Sequence, residues 1–150
     1  MNTPSYKTLL ENKRAFMIEI TSKLNLKEEY KGKELWNQTL CYPFYIELDN
    51  TKIGCIGFNT NTHNPVNVVE ILHLEIKRKL RGQGFGRKVM RIICELADKH
   101  SIILDVMPEP LDKSSKHTRD QLRAWYADFS FVLCNPRGFT MERHPKKEHK

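Results

Sequence analysis

The sequence predicts one α/β domain built on a mixed, mostly antiparallel central sheet flanked by helices. Three observations carry that expectation. Two strand-like runs flank the turn Asp49-Asn50-Thr51, a β-rich run leads through a glycine-rich segment into an amphipathic helix, and short strands close the chain after a further helix. The 150 residues suit a single domain with a single apolar core, and no repeat, low-complexity tract or long linker divides them.

The elements follow in order. Thr3-Pro4 opens a helical pattern in which Tyr6, Leu9, Leu10, Met17, Ile20 and Leu24 recur near a period of about 3.6 residues, although Phe16-Met17-Ile18-Glu19-Ile20 also reads as a first strand. Leu26 to Leu40 reads as a second, weaker helix interrupted at Gly32. Phe44 to Leu48 and Lys52 to Phe58 are strands around the hairpin turn. A polar loop from Asn59 to Asn67 precedes the strand Val68 to Ile76. After the glycines, Phe85, Val89, Ile92, Ile93 and Leu96 form an apolar helical stripe, and Ser101 to Met107 is a strand ended by Pro108-Glu109-Pro110. Thr118 with Gln121 makes a capping box for a helix carrying Leu122, Trp125, Tyr126 and Phe129. Phe131 to Cys134 and Phe139 to Arg143 are the closing strands, while the basic run from Arg143 to Lys150 reads as a frayed, solvated tail, disordered over residues 144–150, that supplies part of the charge.

Composition narrows the function classes. No stretch approaches the roughly 18 apolar residues of a membrane helix, and Met1-Asn2-Thr3-Pro4-Ser5 lacks the order of a secretion signal, so a cytoplasmic protein with no membrane partner is expected. Cys41, Cys55, Cys94 and Cys134 form no C-x-x-C pair and mostly sit among apolar neighbours; four buried thiols and no metal are expected. The net charge of +7 and the pI near 9.3 favour an anionic partner, whether nucleic acid, an acidic protein or a phosphorylated cofactor. Nucleic acid is not the expected partner, because no recognition helix, RNA-binding aromatic motif or zinc site accompanies the charge.

The glycine segment points to a phosphate. Gly82, Gly84 and Gly86 lie between a strand end and a helix start, where glycines admit an anion to the backbone and the helix dipole favours it. Lys77, Arg78, Lys79, Arg81, Arg87, Lys88 and Arg91 surround them. A P-loop is excluded, because Gly86 is followed by Arg87-Lys88-Val89, and a dinucleotide fingerprint begun at Gly82 would need glycine where Arg87 stands.

The segment Arg81-Gly82-Gln83-Gly84-Phe85-Gly86 does match R-x-x-G-x-G, the acetyl-CoA-binding motif of the GNAT superfamily of N-acetyltransferases. The resemblance runs from about Phe44 to Arg143. Leu74 to Gly84 resembles the family's passage from its fourth strand into its third helix. Leu122 to Phe131 resembles its later helix, with Ser130 where the family usually has glycine. The resemblance implies a GNAT-like fold, acetyl-CoA as acyl donor, and transfer of its acetyl group to an amine by direct attack in a ternary complex.

It also implies roles. The backbone of Leu74, Glu75 and Ile76 would pair with the pantetheine arm, the Leu74 amide would face the acetyl oxygen, and Gln83, Gly84, Gly86 and Arg87 would offer amides to the pyrophosphate, with Arg81, Gly82 and Phe85 completing the loop. Glu70 is the leading base. Alternation groups it with Val68, Leu72, Leu74 and Ile76, where desolvation would raise its pKa, and its spacing from Arg81 resembles that of the histone acetyltransferase branch. His73 is the alternative base, and Tyr126 matches the family's tyrosine beside the sulfur and serves as general acid. The acceptor stays open between a protein lysine or N-terminal amine, slightly favoured, and a small amine such as a polyamine or aminoglycoside. A non-catalytic acyl-CoA-binding regulator is a further alternative.

Overall fold

The structure, a computed structural model, describes residues 3–27, 44–60, 66–108, 118–135 and 138–147. Within them the chain forms β1 (Phe44–Leu48), β2 (Thr51–Asn59), β3 (Val68–Ile76), β4 (Ile103–Val106), β5 (Val132–Leu133) and β6 (Met141–Arg143), one sheet in the order β1-β2-β3-β4-β6-β5. Every neighbouring pair is antiparallel except β3 with β4. The mixed, mostly antiparallel sheet is as expected. The helices are α1 (Tyr6–Lys23), α2 (Phe85–Lys99) and α3 (Arg119–Ala127).

Local chemistry explains several of these boundaries. Ser5 caps α1 by accepting a hydrogen bond from the Thr8 amide at 3.2 Å. Phe16 to Ile20 continues that helix rather than forming a strand, burying Phe16, Met17 and Ile20 while Ile18 faces water. Asp49 and Asn50 both take positive φ, 51° and 62°, and close a two-residue hairpin whose twist suits β1 and β2. Thr118 and Gln121 form the reciprocal capping box at the start of α3.

Register assigns the two faces. Phe58, Ile71, Val106 and Met141 are opposite one another across β2, β3, β4 and β6 and share one face. Helix α1 packs there, with Phe16 edge-on to Phe58 at 6.5 Å between centroids. Helix α2 covers the same face, tied to α1 by Glu19, which meets Lys99 at 2.7 Å and His100 at 2.9 Å. Ile20, Ile56, Met90, Ile93 and Leu104 are wholly enclosed between sheet and helices, each worth about 1.5–3 kcal/mol of burial. The other face carries Asn59, Glu70, Asp105 and Glu142, one step along each strand.

Two expectations change. Arg143 does not belong with a solvated tail: it is buried, and its guanidinium grips Asp98 of α2 through two hydrogen bonds of 2.8 and 3.1 Å. Just beyond, the Lys146 amide donates to the same carboxylate at 2.8 Å. Of the cysteines, Cys94 is buried, but Cys55 is half-buried and Cys134 exposed. The expected helix over Leu26 to Leu40 and Cys41 lie largely or wholly outside the described residues, as do most of the loop after Pro108 and residues 148–150. No helix among the described residues is long and apolar enough to cross a membrane.

Candidate active site

The glycine loop is built by the end of β3 and the start of α2. The Lys77 amide holds β3 against β2 by donating to the Ile53 carbonyl at 2.8 Å, and a 3₁₀ turn over Arg78–Leu80 reverses the chain. Arg81 then folds back on the strand it has left. Its Nε donates to the Ile76 carbonyl at 2.8 Å and its Nη2 to Glu75 Oε1 at 3.2 Å. This clamp brings together Glu75, Ile76 and Arg81, three of the residues expected at the cofactor.

Gly82 and Gly84 take φ of 80° and 86°, the left-handed region that side chains with Cβ enter at a cost. Gly84 is the N-cap of α2, with no side-chain cap and no acidic residue in the first turn. The first amides of a fifteen-residue helix thus meet an exposed loop of Gly82, Gln83 and Gly84 beside the exposed Arg78, Lys79, Arg87, Lys88 and Arg91. Unmade donors, a positive helix end and surrounding cations fit a pyrophosphate. Gly86 lies on the inner side, where an added Cβ would sit 3.5 Å from Trp125 and 3.8 Å from Ile76. Arg87 pairs with Asp128 just after α3 at 2.9 Å, which joins the loop to that helix.

Next to the loop the sheet forks. Among the described residues, β3 pairs with β4 from Val68 to Ile71, opposite Ile103 to Val106, and then runs on to Ile76 with β2 on one side and no strand on the other. Five residues of strand overhang the fork, roughly 16 Å of backbone edge. That edge, unpaired among the described residues, includes Leu74, Glu75 and Ile76 and offers the hydrogen-bonding groups an extended amide chain such as pantetheine requires.

The overhang contains a β-bulge. Glu75 is opposite Cys55 and Leu72 opposite Gly57, so two residues of β3 face the single Ile56 of β2. The bulge switches faces. Glu70 and Leu72 share the face opposite α1 and α2, whereas Leu74 and Ile76 turn to the other and pack on the core. Simple alternation, which grouped Glu70 with Leu74 and Ile76, is therefore corrected. The side chain of His73, at the bulge, lies outside the described residues.

Glu70 itself is half-buried and accepts a hydrogen bond from Asn59 Nδ2 at 3.3 Å. Directly opposite it on β4 stands Asp105, and opposite Asp105 on β6 stands Glu142, which meets His144 at 3.1 Å. Burial, then the charges of Glu142 and Glu70, push the Asp105 carboxyl up to about 6, against the opposing charge of His144. Asp105 was not singled out from the sequence. The available signal was that Ile103-Leu104-Asp105-Val106 repeats the pattern of Val68-Val69-Glu70-Ile71, a carboxylate third in an apolar strand.

Tyr126 lies on the inner side of α3, buried edge-on against Phe131 at 5.4 Å and Trp125 at 5.1 Å between centroids. Burial pushes its hydroxyl up to about 12, so it stays protonated through the neutral range, as a proton donor must. Ser130, in the position the family fills with glycine, takes φ of 73°, the conformation for which glycine is suited. Among the described residues no group of three or more His, Cys, Asp and Glu is placed to hold a metal ion.

Comparison with known proteins agrees with this fold. The profile of the Acetyltransferase (GNAT) family matches residues 10–118. Among solved structures, the fold is similar to the GNAT-family N-acetyltransferase YhbS from Escherichia coli in complex with CoA, with a TM-score of 0.51 and 14% identity over 95% of this chain and 78% of that one. It is similar to Ard1 from Thermoplasma volcanium at a TM-score of 0.50, with 14% identity over 97% of both chains. The anti-CRISPR protein AcrVA5 is similar at a TM-score of 0.50 and 20% identity, over 67% of this chain and 96% of that one. At such identities the likeness is one of fold. No curated protein matches the sequence.

Proposed function

The chain belongs to the Acetyltransferase (GNAT) family, and from that premise we propose the acceptor and the residues of its reaction. The family's reaction, transfer of an acetyl group from acetyl-CoA, is this protein's reaction, with acetyl-CoA as co-substrate. The acceptor we assign is a primary amine, a protein lysine or N-terminal amine in first place. The need for acetyl-CoA argues for the cytoplasm as its place of work.

The observation that carries the amine assignment is the carboxylate row beside the fork, Glu70, Asp105 and Glu142 on adjacent strands. A row of negative charge attracts an ammonium ion, and a carboxylate there can relieve it of the proton that prevents attack. In the mechanism we assign, the amides of Gln83, Gly84, Gly86 and Arg87 hold the pyrophosphate, while Arg81 fixes the loop to β3. Gly82 and Phe85 shape the loop, and the edge of Leu74, Glu75 and Ile76 aligns the pantetheine arm. The Leu74 amide donates to the acetyl oxygen as it gains charge. Glu70 takes the amine's proton, and Tyr126, held protonated by burial, supplies one to the departing sulfur.

A second reading, a small polyamine, draws support from the same row, because three carboxylates in line suit several ammonium groups. A thiol-release screen with acetyl-CoA and three acceptors tests both: a lysine peptide, a peptide with a free N-terminus, and spermidine. Preference for a peptide supports the first reading and preference for spermidine the second. Release with none of them removes the amine assignment.

A further inference from the structure

We propose that Asp105 is a second catalytic carboxylate, acting with Glu70 as one proton-accepting unit where β3 and β4 part. The inference rests on the amine acceptor assigned above and adds the group that keeps the proton.

Position is the first argument. Glu70 and Asp105 are paired residues one rung before the last, Ile71 with Val106, after which the strands separate. Strands lie about 4.8 Å apart, so Glu70, Asp105 and Glu142 stand in a row of roughly 10 Å with Asp105 in the middle. The outer members have neighbours to satisfy them, Asn59 for Glu70 and His144 for Glu142. The middle one does not: Asp105 Oδ1 is fully enclosed and finds no hydrogen-bond partner among the described residues.

Cost is the second. An enclosed oxygen without a donor destabilises the charged form, and an apolar residue, like the neighbouring Leu104 and Val106, would avoid that cost. The fold thus holds a half-buried carboxylate with one oxygen enclosed and two carboxylates beside it, and such a group is poised to take up a proton. The groups facing it are Glu70 on β3, Glu142 on β6, His144 beyond it and Cys134 after β5. Burial, then Glu142 and Glu70, bring it to about 6, close to working pH.

The protons balance. The ammonium gives one proton to the Glu70–Asp105 pair, and the freed lone pair forms the bond to the thioester carbon. The C–S bond breaks with its electrons on sulfur. Of the three ammonium protons, one stays on the amide, one reaches the sulfur through Tyr126, and the one held by the pair leaves to solvent.

The test is Asp105→Asn and Glu142→Gln, compared with the parent across pH by thiol release from acetyl-CoA with the three acceptors named above. Asp105→Asn should lower kcat/KM near neutral pH by roughly tenfold or more, with the deficit shrinking at high pH where the amine ionises unaided. Acetyl-CoA affinity should not change, and the melting temperature should not fall, because the amide removes a poorly solvated charge. Glu142→Gln leaves Asp105 in place and removes a like charge, so the acidic limb of the profile should move to lower pH. It reads the same claim if Asp105→Asn fails to fold. A folded Asp105→Asn with parental rate and acidic limb, or an unmoved limb in Glu142→Gln, overturns the proposal and leaves the amine reading standing. A parent that binds acetyl-CoA and acetylates none of the three removes the amine reading itself, a different failure.

Discussion

Gly84 allows the strain of the backbone to be separated from the charge of the ligand. It stands at φ 86° and ψ 5° as the N-cap of α2, and a Cβ added there meets nothing within 4 Å. A side chain at this position therefore costs the left-handed conformation alone, about 1 kcal/mol. Asn and Asp tolerate that region best and are nearly identical in shape. Gly84→Asn and Gly84→Asp thus differ by one negative charge. Without ligand, the helix dipole favours the aspartate, so that variant should melt no lower than the asparagine one. With CoA bound the charge opposes the pyrophosphate. At about 5 Å the repulsion is about 0.8 kcal/mol in water and about 3 kcal/mol at an effective dielectric of about 20. Aspartate should therefore bind CoA about 4- to 150-fold more weakly than asparagine, by calorimetric titration, and salt should narrow the gap. Equal affinities in two folded variants would refute the placement of the pyrophosphate.

Other perturbations separate catalysis from packing. Tyr126→Phe keeps the ring that meets Phe131 and Trp125, so stability and acetyl-CoA affinity should hold while kcat falls by about 10²–10⁴-fold in steady-state assays; a parental kcat would return Tyr126 to the core. Ser130→Gly should raise the unfolding free energy by about 1 kcal/mol in urea melts by relieving the positive φ, and no gain would mean that other contacts repay the strain. Arg143→Ala should cost about 2–3 kcal/mol near neutral pH, below the range for fully buried pairs because Asp98 keeps some contact with water. Burial acts to raise the pKa of Asp98, but the hydrogen bonds from Arg143 and the Lys146 amide outweigh it and hold it below the usual range. The parent should therefore lose stability as pH falls through that depressed value, and the variant should lose less.

What was legible in the sequence was what local chemistry decides. Asp49 and Asn50 announce a hairpin because both tolerate positive φ, and Thr118 with Gln121 announces a helix start because each side chain reaches the other's amide. The order of strand, glycines and helix placed the loop because its spacing is local. The bulge at His73 and Leu74 was not legible, since a two-residue period gives no sign of where an extra residue is absorbed. The pairing of Arg143 with Asp98 joins residues 45 apart, and nothing near Arg143 distinguishes it from the basic residues that follow. Asp105 gains its meaning from the register of β3, β4 and β6, which no single segment carries.

The central claim is that the loop from Arg81 to Arg87 holds acetyl-CoA, and a thermal scan of the whole protein tests it most directly. Acetyl-CoA at a hundredfold excess over its Kd should stabilise the fold by about 2.7 kcal/mol, a clear rise in Tm, while ATP and NAD at the same concentration should do much less. A Tm unmoved by millimolar acetyl-CoA, or moved equally by all three ligands, would contradict the account.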